Sequence, residues 1–154
     1  MANTYTQIHL QFVFAVKYRH GLINPEWKNE LYGYITGIVQ KNNHKMLAIN
    51  GMPDHIHIFI GMRPTQSISD LLQDIKASSS KWINDHQLAP KKFEWQEGYG
   101  AFSYSKSHIS RVITYIENQE KHHQKKKFRE EYIEFLEKFE IAYDEKYIFI
   151  DPID

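Results

Sequence analysis

The chain has 154 residues, of which 42% are hydrophobic and 14% aromatic, which is enough to bury one core and too little to suggest two. It contains no cysteine, which excludes disulfides, cysteine-ligated zinc and thiol catalysis, so any metal must bind histidine, carboxylate or amide groups. No apolar run is long enough to cross a membrane and the first residues lack a secretion signal, so we expect a soluble protein of the cytoplasm.

The net charge of zero hides an uneven distribution of charge along the chain. Residues 1–127 contain 16 Lys and Arg against 10 Asp and Glu, whereas residues 128–154 contain 3 against 9, so the two segments carry +6 and −6. All nine histidines lie in the first segment. We predict a basic body at 1–127 that can bind a polyanion, followed by an acidic helix and tail at 128–154 of the same domain. Ordinary variation of surface charge explains the asymmetry equally well.

The first half of the chain predicts a strand, a helix and a hairpin. Apolar residues alternate over residues 5–16, which favours a strand. Asn24, Pro25 and Glu26 are typical of a helix start, and the helix should reach about Lys41. Its predicted buried stripe consists of Trp27, Leu31, Tyr34, Ile35 and Ile38. Two short apolar runs, 45–50 and 55–62, flank turn-forming residues and predict a hairpin.

The second half predicts a helix, a strand and two further helices. Ser67 caps a helix that reaches about His86, with an inner face of Ile68, Leu71, Leu72, Ile75 and Trp82. A strand is expected within residues 93–104. Ser107 is predicted to cap a helix over residues 108–124, and a last helix over 128–139 precedes a short apolar tail at 147–150.

The order of the first six predicted elements is βαββαβ. This order favours an α+β, ferredoxin-like fold, in which an antiparallel sheet carries helices packed mainly on one face. The fold class alone does not assign a function, because the same fold supports many unrelated chemistries.

Two histidines in the second strand of the hairpin are candidate metal ligands. Residues two apart on a strand face the same way, so His55 and His57 project together while Ile56, Ile58 and Ile60 point into the core. Neutral imidazoles are good ligands for metals, and a strand holds them rigidly. A pair of exposed histidines without a metal fits these residues equally well.

Tyr115 and Gln119 lie one turn apart on the predicted helix over residues 108–124. Side chains at this spacing can address the same point, which is the histidine pair if the helix packs on the sheet. A tyrosine there can serve as a covalent nucleophile while a metal polarises a phosphate. On spacing alone, however, a tyrosine at the edge of the core beside a solvated glutamine is favoured.

Three separated segments resemble the insertion-sequence-200-like transposases, which are single-tyrosine enzymes of the HUH type. The segments are 52–59 (MPDHIHIF), 95–102 (WQEGYGAF) and 115–119 (YIENQ). The stretch from residue 120 to residue 147 is also similar to one branch of that family, so the resemblance spans most of the chain.

The resemblance implies a metal-dependent strand transferase that cleaves and rejoins single-stranded or hairpin DNA at the ends of a mobile element. It implies that Tyr115 forms a 5′-phosphotyrosine, that His55, His57 and Gln119 are metal ligands, and that residues 1–127 form the catalytic domain. It also implies a homodimer whose protomers can share active sites. Two nitrogens and one amide oxygen leave room for phosphate oxygens, so we expect weakly bound Mg²⁺ or Mn²⁺ and a partly exposed His57.

The DNA contacts are harder to place from the sequence. Candidates for phosphate contacts are Lys17, Arg19, Lys76, Lys81 and Arg111, although each alone is more simply a solvated charge. Other residues have two interpretations each. Asp54 either orients a metal ligand or only forms the turn. The aromatics Tyr99, Phe102 and Tyr104 either stack on bases or pack in the core or a dimer interface. The pair His122 and His123 and the lysines at 125–127 either contact the DNA backbone or stabilise the end of the helix.

Three alternative functions compete with the transposase hypothesis. The first is a domesticated relative that binds or nicks hairpin DNA without transposing itself. The second is a ferredoxin-like module that binds nucleic acid without catalysis, which has no need of the histidine pair or of Tyr115. The third is a hydrolytic zinc enzyme, which would require further clustered ligands that the sequence pattern does not show.

Overall fold

The computed structural model describes residues 3–124 and 126–144, and within them one antiparallel sheet forms the centre of the fold. Its strands are β1 (His9–Ala15), β2 (Lys45–Met52), β3 (His55–Gly61) and β4 (Gly100–Tyr104), in the spatial order β2-β3-β1-β4. The sequence order βαββαβ and this strand order confirm the predicted α+β, ferredoxin-like architecture. The apolar tail predicted at residues 147–150 lies outside the described residues.

Five α-helices accompany the sheet within the described ranges: α1 (Lys28–Lys41), α2 (Ile68–Asp85), α3 (Ile109–Glu117), α4 (Gln119–His123) and α5 (Phe128–Lys138). Short 3-10 turns occur at Lys17–Arg19 and Lys106–His108. No described helix combines the length and the apolar character that a bilayer crossing requires.

One face of the sheet packs against α1 and α2 and forms the main apolar core. The side chains of Ile56, Ile58 and Ile60 are fully buried there, as the alternation in β3 predicts. The predicted stripe of α1 is wrong at Tyr34, which is 36% exposed and stacks on the half-buried Trp82 of α2. Stacking at the edge of the core leaves the Tyr34 hydroxyl near solvent.

The opposite face of the sheet is covered by α3, α4 and α5. Here Phe59 packs with Val112 and Ile116 of α3, and Phe102 packs with Phe128 and other residues of α5. The two longest helices thus share one face, as expected, while the three shorter ones enclose the other. The second face also buries the polar side chains that form the candidate site.

Local capping follows the sequence in one helix and departs from it in another. The Ser67 hydroxyl accepts a hydrogen bond from the backbone N–H of Asp70, which confirms the predicted cap of α2. Ser107 does not cap α3, because it lies within the 3-10 turn and its hydroxyl contacts Ser105 and His108 instead. The helix predicted from residue 108 to 124 is also interrupted, at Asn118.

Candidate metal and nucleophile site

His55 and His57 lie side by side on β3 and face the helices α3 to α5. Both are fully buried, with 0% exposure, so the partly exposed His57 expected from the sequence is wrong. Their neighbours on β1 are Ala15 and Val13, which are small enough to leave space above the strand. The two imidazole rings are 5.2 Å apart and nearly perpendicular. The strand therefore presents two imidazoles to one enclosed volume.

His55 is oriented by a carboxylate and points toward the amide of Gln119. Its Nδ1 donates to Oδ1 of Asp54 at 2.7 Å, and its Nε2 lies 3.2 Å from Oε1 of Gln119. Asp54 thus does more than form the turn, because it fixes the ring so that Nε2 faces the site. This carboxylate–histidine arrangement is common behind metal ligands.

His57 is held by a second set of hydrogen bonds, which runs through Gln11 on β1 to Tyr104 on the edge strand β4. Nε2 of Gln11 contacts Nδ1 of His57 at 3.0 Å, and the Tyr104 hydroxyl donates to Oε1 of Gln11 at 2.8 Å. A flip of the Gln11 amide exchanges its donor and acceptor groups and keeps both contacts. These hydrogen bonds are therefore compatible with a proton on either nitrogen of His57. Nε2 of His57 faces the site in both cases.

A break between α3 and α4 brings Gln119 into the site. The side chain of Asn50 on β2 donates to the carbonyls of Ile116 at 3.0 Å and Glu117 at 3.1 Å, where α3 ends. Asn118 then leaves the helical conformation with φ −98° and ψ 25°. Gln119 begins α4 and is fully buried. The pair Tyr115 and Gln119 therefore converges across a kink and not along one continuous helix.

Glu131 is absent from the sequence-based prediction, and His123 is predicted only as a contact to the DNA backbone or as a stabiliser of the helix end. Atoms of His55, His57, His123 and Glu131 that can ligate a metal all lie within 4.8 Å of one another. The signal for Glu131 was present in the helical pattern, since it falls in the apolar stripe of α5 between Phe128 and Phe135. An acid at a core position of a helix is rarely buried without a partner.

The Tyr115 hydroxyl lies at the edge of the same cluster. It donates to Oε2 of Glu131 and is 3.2 Å from Nε2 of His122. The phenol ring meets the His57 ring edge-on at 5.9 Å. The nucleophile candidate and the ligand candidates therefore belong to one contiguous group of side chains.

Burial and mutual charge set the protonation of the cluster. Burial opposes charge on His55, but its bonds to Asp54 and Glu131 outweigh burial and raise the pKa of His55 to about 9. Burial likewise opposes charge on Glu131, but the nearby His57 and His55 lower the pKa of Glu131 to about 2. Burial lowers the pKa of His57 and brings that of His123 to about 4. At neutral pH one ion pair and two neutral imidazoles fill the site.

Two basic grooves flank the cluster and meet at Lys126. The first, of about 770 Å³, exposes Tyr115 and is lined by Arg111, Lys121 and Lys126. The second, of about 680 Å³, runs past His123 and is lined by Arg19, Lys126, Lys127 and Arg129. Cationic side chains on both sides of the cluster suit a chain of phosphates.

The predicted phosphate contacts separate into two groups. Arg111 and Arg19 line the grooves beside the cluster. Lys17 instead pairs with Glu94 at 3.5 Å, and Lys81 pairs with Asp85 on α2. Lys76 donates to the carbonyls of Gln96 and Gly98 at 2.6 and 2.8 Å, so it ties the loop before β4 to α2.

The predicted base-stacking aromatics mostly have structural contacts. Phe102 is buried against Phe135 of α5 and against Phe139, which directly follows that helix. Tyr104 is half-buried and donates to Gln11, which in turn holds His57. Tyr99 is 36% exposed and meets Phe12 edge-on.

Known proteins resemble this chain in sequence. A family model described as "Transposase IS200 like" matches residues 4–119. The ISDra2 transposase TnpA of Deinococcus radiodurans is 26% identical over 118 residues, which cover 73% of this chain and 84% of that protein. The transposase of insertion sequence element IS200 from Salmonella typhimurium is 25% identical over 125 residues, which cover 77% and 81%.

Solved structures share the fold. A protein described as a transposase from Deinococcus radiodurans R1 superimposes with a TM-score of 0.62 and 24% identity, over 77% of this chain and 95% of that one. A REP-associated tyrosine transposase, solved bound to a REP hairpin, superimposes with a TM-score of 0.57 and 14% identity, over 77% and 70%.

Proposed function

The chain belongs to the IS200-like transposase family, and from that premise we propose that it cleaves and rejoins single-stranded DNA through a phosphotyrosine formed by Tyr115. One observation carries the proposal: the Tyr115 hydroxyl lies between a buried cluster of ligand-type side chains and an open basic groove. A phosphate held in the groove can reach the phenol and the cluster together. No other described tyrosine lines that groove.

In the proposed reaction the Tyr115 oxygen attacks a backbone phosphorus. A bond forms between that oxygen and phosphorus, and the bond to the 3′ oxygen breaks. The departing 3′ oxygen takes up the proton that the phenol releases, which leaves a 5′-phosphotyrosine and a free 3′ hydroxyl. The phenol proton can pass to Oε2 of Glu131 or Nε2 of His122, which both contact the hydroxyl. Attack by a 3′ hydroxyl on the phosphotyrosine reverses the chemistry and joins the strands, so no external energy source is needed.

The chemistry of the side chains fits a divalent metal. His55, His57 and Gln119 offer two imidazole nitrogens and one amide oxygen, and the first two are oriented from behind by Asp54 and Gln11. We propose these three as ligands for Mg²⁺ or Mn²⁺. A bound divalent ion supplies polarisation of the phosphate and stabilises the charge that develops on it.

We propose that the two basic grooves hold the DNA backbone on either side of the cleavage point. Arg111 and Lys121 lie on the side of Tyr115, Arg19 and Arg129 lie on the side of His123, and Lys126 contacts both. Single-stranded DNA and a hairpin with a single-stranded flank both present such a path. A role in processing DNA also agrees with the cytoplasm as the site of action.

The single chain contains a complete set of the proposed groups, so we propose that Tyr115 serves the histidines of its own protomer. Its hydroxyl contacts Glu131, which in turn lies 3.0 Å from His57 in the same chain. We retain the homodimer as the functional unit, because one chain of this size offers little surface to hold two DNA ends.

Mixing inactive Tyr115→Phe and His57→Ala proteins tests whether Tyr115 acts within its own protomer. Sites within one protomer predict no recovery of cleavage, whereas shared sites predict partial recovery.

Tyr115→Phe removes only the phenol oxygen and should abolish cleavage while DNA binding persists. Labelled single strands and hairpins from the DNA flanking the coding region are incubated with Mg²⁺, Mn²⁺ or EDTA and separated on denaturing gels. Tyr34→Phe, on the opposite face of the protein, is the matched control and should form the covalent adduct normally.

An adduct formed by Tyr115→Phe would exclude this tyrosine as the nucleophile. Cleavage without rejoining would favour a domesticated nicking relative, and binding without any adduct in the wild type would favour a non-catalytic module.

A further inference from the structure

Two ligand-type side chains of the cluster come from a part of the chain that the family model does not match. That match ends at Gln119, whereas His123 lies at the end of α4 and Glu131 lies in the first turn of α5. Both side chains reach the histidine pair on β3. The C-terminal helices therefore contribute to the site itself and not only to the packing around it.

Glu131 occupies the centre of the cluster. Its Oε1 is 3.0 Å from Nε2 of His57, 3.5 Å from Nε2 of His55 and 3.2 Å from Nε2 of His123. Its side chain is only 2% exposed. Three imidazole nitrogens thus converge on one buried carboxylate oxygen.

Each of the three imidazoles is also fixed through its other nitrogen. Nδ1 of His55 donates to Asp54, Nδ1 of His57 contacts Gln11, and Nδ1 of His123 donates to the carbonyl of Lys126 at 2.7 Å. Protein groups that hold the remote nitrogen are characteristic of metal-ligating histidines, because they set the tautomer and the direction of the lone pair.

The environment of His123 favours a cation directly. With the proton on Nδ1, the neutral ring directs the Nε2 lone pair at two oxygens, Oε1 of Gln119 at 3.1 Å and Oε1 of Glu131 at 3.2 Å. Lone pairs that face each other repel, and a positive ion between them converts this repulsion into coordination.

The packing of α5 holds Glu131 at this point. Phe128 stacks on the His55 ring at 4.1 Å, and Phe135 stacks on Phe102 at 5.0 Å. Since these contacts lie on either side of Glu131 along the helix, the carboxylate has little freedom to leave the cluster.

We propose that Glu131 and His123 complete the metal centre, so that three imidazoles and one carboxylate, together with the amide of Gln119, bind a transition-metal ion such as Mn²⁺ or Co²⁺ in preference to Mg²⁺. The inference rests on the metal-dependent function proposed above and adds ligands to the same site. Mg²⁺ prefers oxygen ligands and retains water, whereas imidazole suits transition metals. Oε2 of Glu131 remains on the Tyr115 hydroxyl, so the same side chain positions the nucleophile beside the ion.

Metal titrations without DNA test this proposal independently of catalysis. The full chain is stripped with EDTA and titrated with Mn²⁺, Co²⁺ and Mg²⁺ by calorimetry, and the visible absorption of Co²⁺ reports its coordination. The wild type should bind Mn²⁺ and Co²⁺ on the order of 100-fold more tightly than Mg²⁺. Glu131→Gln should weaken Mn²⁺ and Co²⁺ binding by about 10- to 100-fold and alter the Co²⁺ spectrum.

Glu130→Gln is the matched control, because it removes the same charge from the exposed neighbouring position of α5. It should leave metal binding unchanged. His123→Asn is a second test and should weaken Co²⁺ binding similarly, which covers the case in which Glu131→Gln fails to fold. Mn²⁺ and Co²⁺ binding by folded Glu131→Gln or His123→Asn that equals or exceeds wild-type binding would overturn the proposal. Failure of Tyr115 to form an adduct would contradict the proposed reaction without affecting this result.

Discussion

The two faces of the sheet are equally buried but enclose different chemistry. On strand β3, Ile56 and Ile58 point into the apolar core beneath α1 and α2, while His55 and His57 point toward α3 to α5, and all four side chains have 0% exposure. Burial therefore does not distinguish the core from the candidate site. The distinction lies in what fills the enclosed space.

The polar face is the more costly of the two to build. Removing a carboxylate and several imidazoles from water is unfavourable unless each finds partners, and apolar side chains of similar size would fill the volume without that cost. Glu131 has four histidines within 3.5 Å and the Tyr115 hydroxyl beside it. A buried group of this kind is typical of a functional site.

The two faces should differ most in how truncation of a side chain affects cleavage, which two adjacent residues of β3 can test. His57→Ala should lower cleavage at least about 100-fold, because a proposed ligand is lost. Ile58→Ala should preserve cleavage at temperatures where it remains folded, but lower the free energy of unfolding by about 2–5 kcal/mol. Cleavage rates and urea denaturation of both variants separate the two roles.

His57→Ala should also destabilise the fold, in contrast to the expectation for an exposed ligand. Gln11 and Glu131 would each lose a buried partner, at a cost of about 1–3 kcal/mol. Loss of cleavage in Ile58→Ala, or full cleavage in His57→Ala, would break the functional division between the two faces.

A smaller effect on the site is expected from Asp54, which contacts the proposed ligand His55 and not the metal itself. Asp54→Asn keeps the size of the side chain but weakens its hold on Nδ1 of His55, so metal affinity should fall by about 10- to 100-fold. The matched control is Asp74→Asn on α2, whose carboxylate accepts from Asn42 and Ser78 away from the cluster. Calorimetric titration with Mn²⁺ measures the metal affinity of both variants. An affinity of Asp54→Asn equal to that of the wild type would show that Asp54 only forms the turn.

The charges on the two faces should differ in their effect on DNA binding. Arg111→Ala, in the groove beside Tyr115, should weaken binding of a single strand and lower the slope of log affinity against log salt by about 0.7. Lys81→Ala, on α2, should leave the slope unchanged, since this lysine pairs with Asp85. Fluorescence anisotropy across a salt series measures the slopes. A larger change of slope in Lys81→Ala than in Arg111→Ala would place the DNA on the face of α1 and α2 and contradict the proposed grooves.

The smallest expected effect is the pH dependence of the stability of the metal-free protein. Burial lowers the pKa of His123 from 6.5 to about 4, and it also lowers the pKa of His57. Between pH 6.5 and 4 the unfolded chain therefore binds more protons than the folded one. Stability should therefore fall as the pH decreases from 6.5 to 4. His55, with a pKa raised to about 9, contributes its full stabilisation throughout this window, and Glu131 loses its contribution only below pH 4.5.

Urea denaturation in EDTA at pH 6.5 and 4.5 measures this dependence. His123→Asn removes one of the titrating groups and should reduce the difference between the two values. A wild-type stability that stays constant or rises toward pH 4.5 would contradict the assigned protonation of the cluster.

The sequence predicted the apolar face well because that face follows local periodicity. Alternation in β3 and the spacing of Leu31, Ile35 and Ile38 in α1 report directly on burial, and the structure confirms them. The predicted burial of Tyr34 is wrong because its contact with Trp82 depends on how α1 and α2 pack, which the periodicity of a single helix does not show. The break at Asn118 depends similarly on Asn50, which is 68 positions away in the chain.

The polar face could be predicted only in part. Family resemblance pointed to His55, His57, Tyr115 and Gln119, and the structure brings these side chains into one cluster, although their roles remain predictions. Glu131 was missed because segment 128–154 was interpreted through its net charge of −6, which does not show that one acid is buried. Its partners lie on β3 and α4, so only the tertiary fold identifies them.

Mass spectrometry of the trapped covalent complex tests the central claim most directly. Wild-type protein is incubated with a single strand or hairpin from the flanking DNA in Mn²⁺, digested with protease and nuclease, and searched for peptides that carry a 5′-linked nucleotide. We expect the nucleotide on Tyr115, with loss of the modified peptide in Tyr115→Phe and in EDTA. A nucleotide on any other residue, or an unmodified Tyr115 in a preparation that has cleaved the DNA, would contradict it.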